Sequence, residues 1–156
     1  MPSELSTATN LVTRDLVDDD LDSLLALYRH LHPDDEPVPG SVGAIWAEIV
    51  RDPSQIYLGA FVGELLVSAC NAAVIANLTR GARPYAVVEN VVTHADYRRR
   101  GIGATLMREL LGRCWARGCY KVMLMSGANR RHIHDFYVSL GFDKTAKQAF
   151  IAKPPV

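Results

Sequence analysis

The sequence predicts one α/β domain, with a mixed parallel and antiparallel central sheet flanked by about four helices. The chain has 156 residues, a length that fits one domain. A strand–loop–helix–strand order around residues 85–125 predicts a parallel pair of strands, and the turn Gly63-Glu64 between two apolar runs predicts an antiparallel hairpin. We expect residues 11–156 to form the domain and residues 1–10 to be a loosely ordered N-terminal extension.

In the first half of the chain, apolar spacing predicts two helices and three strands. The acidic run that begins at Asp18 is typical of the first turn of a helix, where carboxylates complement the helix dipole. Apolar residues at helical spacing follow it up to Leu31. The predicted elements are a strand over Leu11–Leu16, a helix from Asp18, a helix over Val42–Val50, and strands over Ile56–Val62 and Leu65–Ile75.

The second half of the chain adds three strands and two helices. Its most β-branched run is followed by a basic loop and then by an amphipathic helix that Gly118 ends. The predicted elements are strands over Tyr85–Thr93, Tyr120–Met125 and Phe150–Ala152, and helices over about Gly101–Ala116 and His132–Leu140. The inward face of the first of these helices is predicted to comprise Ile102, Leu106, Leu110, Leu111 and Cys114.

Composition argues against several classes of protein. The 17 basic and 17 acidic residues cancel, whereas nucleic-acid and membrane-surface proteins usually carry a basic surplus. The sequence has neither a signal-peptide pattern nor a long apolar run. The three cysteines match no zinc or disulfide spacing, which favours buried free thiols. We therefore predict a cytoplasmic protein that binds no metal, nucleic acid or membrane.

The neutral total hides an uneven distribution of charge. Residues 1–40 contain nine acids and two bases, whereas residues 94–156 contain twelve bases and four acids. One half could bind an anion and the other a cation. Separate solvated faces would produce the same pattern, and composition alone favours that simpler interpretation.

The most informative stretch runs from Val91 to Ala104. It places three arginines and Gly101-Ile102-Gly103 between a strand and a helix, where glycines admit a close ligand and helix N–H groups attract an anion. A dinucleotide fingerprint would need a third glycine where Leu106 stands, and a triphosphatase loop would need Gly-Lys-Ser/Thr. The residues by themselves leave a pyrophosphate site and a solvated basic loop about equally supported.

These residues resemble the GNAT superfamily of acetyl-CoA-dependent N-acetyltransferases. The family's Arg/Gln-x-x-Gly-x-Gly/Ala block is matched by Arg98-Arg-Arg-Gly-Ile-Gly-Ala104, and its Phe-Tyr-x-x-x-Gly-Phe block by Phe136-Tyr-Val-Ser-Leu-Gly-Phe142. The order of the blocks and of the elements also agrees, so the resemblance covers about residues 11–152. Gly118–Leu124 in addition is similar to a strand of glucosamine-phosphate acetyltransferases.

The resemblance implies acetyl-CoA as co-substrate and a role for each matched position. Backbone groups of one strand end would pair with the pantetheine arm, amides of the basic loop would hold the pyrophosphate with arginine side chains adding charge, and one asparagine would contact the pantetheine or acetyl end. In that order, these residues are Val91, Val92 and Thr93; Arg98, Arg99, Arg100, Gly101, Ile102, Gly103 and Ala104; and Asn129. Tyr137 falls at the position that protonates the departing thiolate.

Direct attack of an amine on a thioester needs a neutral amine and a proton for the sulfur. Tyr137 is the implied acid, although its pattern alone also fits a core aromatic residue. Glu89 is the candidate base, and an ion pair with Arg83 is an equally supported interpretation. His94 is a weaker candidate, and His132 and His134 lack companions at the spacing of a metal site.

The segment that would cover the acceptor cleft contains several acids, among them Asp34 and Asp35. It suits a cationic amine, although a solvated acidic loop is at least as consistent with the pattern. We predict transfer of acetyl from acetyl-CoA to a primary amine of a small molecule. The alternatives are an amino-sugar or peptide N-terminal acetyltransferase, a transferase of longer acyl groups, and a non-catalytic acyl-CoA-binding module. A homodimer is a further expectation.

Overall fold

The structure is a computed structural model that describes residues 10–156. Its described strands form one five-stranded sheet in the order β1-β2-β3-β4-β5. The strands are β1 (Leu11–Asp15), β2 (Gln55–Val62), β3 (Leu65–Ile75), β4 (Tyr85–Thr93) and β5 (Val122–Leu124). The first four strands are antiparallel to their neighbours, and β4 and β5 are parallel. The predicted mixed sheet is therefore confirmed, and the predicted extension lies outside the described residues except for Asn10.

Four α-helices flank the sheet in the described part of the chain, which confirms the predicted number. They are α1 (Leu21–Tyr28), α2 (Val42–Arg51), α3 (Ile102–Ala116) and α4 (Arg131–Ser139). Two single turns of 3₁₀-helix precede α1 and α3, at Asp18–Asp20 and Ala95–Tyr97. None of the described helices is long and apolar enough to cross a membrane.

Two apolar clusters cover the two faces of the sheet. One packs α3 against the strands, with Leu58, Val67, Leu106 and Leu110 at its centre. The other packs α1 and α2 against the opposite face through Leu24, Leu27, Trp46, Phe61 and Leu66. Because β3 lies between these layers, seven consecutive residues of that strand, from Leu66 to Ala72, are buried.

The β2–β3 hairpin confirms the predicted turn. Gly63 has a φ of 60°, a left-handed conformation that glycine adopts at little cost. The three cysteines are free and buried, as their apolar neighbours indicated. Cys114 lies in the core with Ile102, Leu106 and Leu110, as predicted for the inward face of α3. Leu111, also predicted to face inward, is only partly buried, and Met107 is buried instead.

The prediction of a last strand over Phe150–Ala152 is wrong. No strand forms there, and Phe150 and Ile151 are 88% and 68% exposed. Lys153-Pro154-Pro155 follows. Because proline has no N–H to donate to a sheet, these residues disfavour the extension of a strand beyond Ala152. Strand β5 is also shorter than predicted, with three residues instead of six.

Candidate active site

The two halves of β4 differ in their neighbours. Ala86, Val87 and Val88 pair with Val122, Met123 and Leu124 of β5. No described residue pairs with residues 89–93 on the β5 side, although β3 continues to pair on the other side. The sheet therefore opens between two parallel strands, and backbone groups at this edge are available to an extended amide-containing ligand. Val91, Val92 and Thr93 lie along the open edge, where the resemblance implied the pantetheine arm.

A β-bulge marks the point at which β4 opens. Asn71 of β3 pairs with Glu89, but Ala69 pairs with Val92, so β4 has one extra residue. Asn90 has a φ of 51°, a left-handed conformation that asparagine tolerates better than most residues. Its amide nitrogen Nδ2 donates to Oδ1 of Asn71 at 3.2 Å, and Asn71 is only 6% exposed. This partly buried contact ties the bulge to β3.

The end of β4 lies close to the start of α3. The hydroxyl oxygen of Ser68 is 2.9 Å from the carbonyl oxygen of Val92 and 2.9 Å from the hydroxyl oxygen of Thr93. A Cβ atom at Gly103 would lie 3.3 Å from the Thr93 hydroxyl oxygen. A glycine at this position lets the first turn of α3 approach the strand without displacing that hydroxyl.

The loop before α3 presents a row of unpaired amides. The N–H groups of residues 99–104 make no hydrogen bond to another group in the described chain. Arg99 and Gly101 have φ values of 61° and 76°, so the backbone turns sharply before the first helical residue, Ile102. N–H groups at a helix start carry partial positive charge and bind phosphate oxygens. The donor set therefore fits the CoA pyrophosphate.

The three arginine side chains of this loop have different surroundings. Arg98 donates through Nε to the Thr93 carbonyl at 3.0 Å and through Nη2 to the His30 carbonyl at 3.1 Å, so it links β4 to the residues after α1. The guanidinium of Arg100 lies 5.1 Å from the centre of the Tyr97 ring. Arg99 is exposed, and its side chain has no hydrogen bond to a described residue. Arg99 and Arg100 are thus the more available cations for a phosphate, a distinction that the sequence does not show.

Tyr137 lies on α4 in a largely apolar environment. Its ring packs edge-on against Phe136 at 5.2 Å and Phe142 at 5.8 Å between ring centres. Burial raises the pKa of Tyr137, and the neighbouring Cys70 and Glu89 act in the same direction, whereas Arg130 lowers it. The phenol therefore keeps its proton at neutral pH, which a general acid requires.

Glu89 is the residue immediately before the bulge. Its side chain is exposed and has neither a hydrogen bond nor an ion pair with another residue in the described range. The suggested partner Arg83 instead donates to the Arg80 carbonyl at 3.2 Å. Glu89 is close enough to Tyr137 for its charge to affect the pKa of the phenol. The carboxylate is therefore free to accept a proton near the predicted acid.

The remaining predicted residues are Asn129 and the histidines. Asn129 is exposed in the turn between β5 and α4. His134 bonds through Nε2 to the Gly127 carbonyl at 2.8 Å, and His94 accepts the Asp96 amide N–H at 3.2 Å, so each histidine has a local structural contact. No group of three or more potential metal ligands occurs within residues 10–156.

A cleft of about 540 Å³ lies beside the bulge. It is lined by Leu31, His32, Pro33, Asp34, Asp35 and Asn90. The acidic segment after α1 is thus next to the strand that carries Glu89. Its exposed carboxylates attract positive charge at the mouth of this cleft.

Sequence reasoning missed three polar residues of this region, Ser68, Asn71 and Asn90. Ser68 and Asn71 interrupt an otherwise apolar buried strand, and buried polar groups need partners. The adjacent polar pair Glu89-Asn90 within a β-branched run was the available signal for a bulge. Which partners these groups bond depends on strand register, and the local sequence does not specify it.

Comparisons with known proteins agree with this geometry. Residues 21–142 match the model of the acetyltransferase (GNAT) family. A curated relative, the glucosamine 6-phosphate N-acetyltransferase of Trypanosoma brucei brucei, is 30% identical over 147 residues, which cover 92% of this chain and 97% of the relative.

Solved structures provide two further comparisons. A candidate acetyltransferase from Agrobacterium tumefaciens str. C58 is 35% identical, with a TM-score of 0.86 over 91% of this chain and 99% of that one. An aminoglycoside 6'-N-acetyltransferase of Acinetobacter baumannii is 19% identical, with a TM-score of 0.74 over 94% of this chain and 99% of that one. The second comparison shows a shared fold.

Proposed function

The chain belongs to the acetyltransferase (GNAT) family, and we propose that this acetyl-CoA-dependent acyltransferase transfers acetyl to a primary amine of a small molecule by direct attack. One juxtaposition carries the proposal. The open edge of β4 and the unpaired amides of residues 99–104 form a continuous binding path for CoA, and Glu89 and Tyr137 lie near its reactive end. This arrangement supports a site in which CoA binding and proton transfer occur side by side.

Two residues then divide the proton transfers. The carboxylate of Glu89 accepts a proton from the amine, directly or through a water molecule, so that nitrogen can attack the acetyl carbonyl carbon. The phenol of Tyr137 donates its proton to the sulfur as the carbon–sulfur bond breaks. Asn129, in the turn before α4, contacts the pantetheine or acetyl end. Holding both substrates in line supplies much of the rate enhancement.

The acceptor is a cationic amine that enters through the cleft of Asp34 and Asp35. Carboxylates at the mouth raise the local concentration of a cation, and Glu89 then removes the proton that makes the amine unreactive. The second candidate is an amino-sugar phosphate, favoured by the 30% identical relative. A phosphate on the acceptor would be repelled by these two aspartates, which favours the first candidate.

Assembly and location complete the proposal. Strand β5 is the edge of the described sheet, and the exposed Phe150 and Ile151 follow it in the chain. An unpaired strand edge and exposed apolar side chains each favour contact with a second copy. The three free thiols suit the reducing cytoplasm. Light scattering on the purified protein, with a dimer mass expected, tests the assembly.

A thiol-release assay identifies the acceptor. The panel contains polyamines, aminoglycosides, glucosamine with and without a 6-phosphate, and peptide N-termini. We expect non-phosphorylated cationic amines to give the highest kcat/KM. Preference for glucosamine 6-phosphate over glucosamine would establish the second candidate, and acetyl-CoA binding without turnover on any amine would contradict the proposed acceptor class.

The substitution Tyr137→Phe tests the proposed acid. It preserves the ring contacts with Phe136 and Phe142 and removes only the hydroxyl. We expect kcat to fall by about 10²-fold or more, as for the loss of a general acid, while the Kd for CoA stays within about twofold. The measurements are steady-state kinetics and calorimetry. An unchanged kcat would remove Tyr137 from the mechanism.

A further inference from the structure

His30 connects the end of α1 with the loop that leads to α3. Its ring nitrogen Nδ1 accepts the N–H of Ala95 at 3.3 Å, and its carbonyl oxygen accepts Nη2 of Arg98 at 3.1 Å. Its ring also stacks on His94, with 4.1 Å between ring centres. One residue thus contacts three consecutive parts of the segment between β4 and the phosphate-binding amides.

The first of these contacts defines the protonation state of the imidazole. Nδ1 can accept a hydrogen bond only when it carries no proton, so this contact requires the neutral form of His30 with its proton on Nε2. The Nδ1 atom of His94 accepts the Asp96 N–H at 3.2 Å. Each ring of this pair therefore holds a backbone amide.

His30 also occupies a particular place between the two substrate sites. Leu31 and His32, the next residues, line the acceptor cleft. On its other side, Arg98 leads directly into the unpaired amides of residues 99–104. A change in the position of His30 therefore affects the start of the loop over residues 99–104. It also affects Leu31 and His32, which follow it and line the cleft.

We propose that His30 is a positioning residue that holds the CoA phosphate loop from the acceptor side, and that it does so only in its neutral form. This inference rests on the proposed placement of CoA along residues 99–104. Loss of the Nδ1 contact frees the Ala95 amide and loosens the short helix that precedes the loop. A loosened loop must be ordered when CoA binds, which weakens binding.

The groups around His30 affect its pKa and therefore the pH range in which it stays neutral. Burial lowers the pKa of His30, and His94 and Arg98 lower it further, whereas Asp96 raises it. The remaining titratable groups of the cluster are Tyr97, which packs edge-on against His94, and Arg100, which lies over the Tyr97 ring. The neutral form therefore persists below the ordinary histidine pKa of about 6.5. Below the lowered pKa, protonation removes the acceptor and places a second cation beside Arg98.

Two variants separate the contact from the charge. His30→Asn retains an acceptor near the position of Nδ1 and cannot be protonated in this range. His30→Ala removes the acceptor at every pH. Arg29→Ala is the matched control, because this neighbouring side chain is exposed and makes no hydrogen bond within the described chain. Calorimetry measures the Kd for CoA at pH 8 and pH 5.5 for each protein, and thermal unfolding monitors the fold.

At pH 8 we expect His30→Ala to raise the Kd for CoA about fivefold, the effect of one hydrogen bond, and His30→Asn to stay within about twofold of wild type. Between pH 8 and pH 5.5 the wild-type Kd should rise more than that of His30→Asn. The difference between wild type and His30→Asn in this change of Kd is the readout. The phosphate monoester of CoA itself titrates near pH 6 and affects both proteins equally. Arg29→Ala should follow wild type.

Equal CoA affinity of wild type and His30→Ala at pH 8 would overturn the inference. So would the same loss of affinity in wild type and His30→Asn when the acid pH is lowered until the imidazole NMR signal of His30 shows that it is protonated, because titration of His30 would then have no effect. If His30→Ala fails to fold, the pH profile of His30→Asn still decides the question. Absence of CoA binding by the wild-type protein would instead contradict the proposed function, so the two failures are distinguishable.

Discussion

The two halves of β4 belong to one strand, yet they differ in composition and in their neighbours: residues 85–88 are all apolar, whereas residues 89–93 include Glu89, Asn90 and Thr93. Residues 85–88 form a central strand, with β3 on one side and β5 on the other. Within residues 10–156, residues 89–93 pair with β3 alone, and they carry the bulge at Asn90. The first half uses its backbone groups to hold the sheet together, and the second half leaves them available. Binding capacity here arises where pairing between strands ends.

The comparison also concerns side chains. Ala86 and Val88 of the first half lie in the core beneath α3. In the second half, Glu89 is exposed, and the bulge changes which face the following residues occupy, so that Val92 packs in the cluster under α1 and α2. One extra residue thus separates a half that is paired on both sides from the half that carries the proposed base, Glu89. Substitutions in each half should affect different quantities.

The largest expected effect is on catalysis, from Glu89→Gln in the second half. The substitution keeps the size of the side chain and removes its ability to accept a proton at neutral pH. We expect kcat to fall by about 10²-fold, with the free energy of unfolding within about 0.5 kcal/mol of wild type, because the side chain is exposed and without an ion pair in the described chain. Kinetics with the best amine of the panel and denaturant unfolding measure both. A loss of kcat much smaller than this, with no increase in kcat when a small soluble base is added to the variant, would assign proton removal to another group.

The second effect is on stability, from Val88→Ala in the first half. Val88 is 1% exposed and pairs with Leu124, so we expect the free energy of unfolding to fall by about 2 kcal/mol through lost burial and a residual cavity. The kcat should change less than about twofold. The control is Val138→Ala, which removes the same atoms from a side chain that is 44% exposed. A similar loss of stability in both variants, measured by denaturant unfolding, would contradict this role for the paired half.

The smallest expected effect concerns the boundary between the halves. Asn90→Gly preserves the left-handed conformation and loses the side-chain bond to Asn71, whereas Asn90→Val also places a β-branched residue at a φ of 51°. We expect Asn90→Val to be less stable than Asn90→Gly by about 1–2 kcal/mol. Unfolding curves give this difference, and CoA calorimetry shows whether the edge of β4 stays open. Equal stability of the two variants would mean that the bulge is not retained in Asn90→Val.

Much of the fold was predictable because its signals are local. Gly63-Glu64 between two apolar runs defines a hairpin, and the glycines at 101 and 103 indicate a tight entry into a helix near a strand. The candidate site was predictable only through the two motif blocks and their resemblance to a family. Tyr137 shows this limit, because its local pattern fits a core aromatic residue, and the structure indeed packs it between two phenylalanines.

The errors have a shared origin. Phe150–Ala152 has the side chains of a strand, but a strand also needs a partner, and none of the described strands pairs with it. The three arginines of the basic loop look equivalent in sequence, yet Arg98 donates to two backbone carbonyl groups. Pairing and side-chain direction depend on residues that are distant along the chain.

The local sequence was enough to predict the four helices, the first four strands, the hairpin turn, the glycine-rich entry to α3 and the family. Each of these depends on backbone preferences or on spacing within a few residues. Tertiary structure decided where β4 loses its partner, which side chains surround Tyr137, and how His30 meets the cofactor loop. These features join segments more than 60 residues apart in the case of His30 and Ala95. Only the folded chain brings such donors and acceptors within hydrogen-bonding distance.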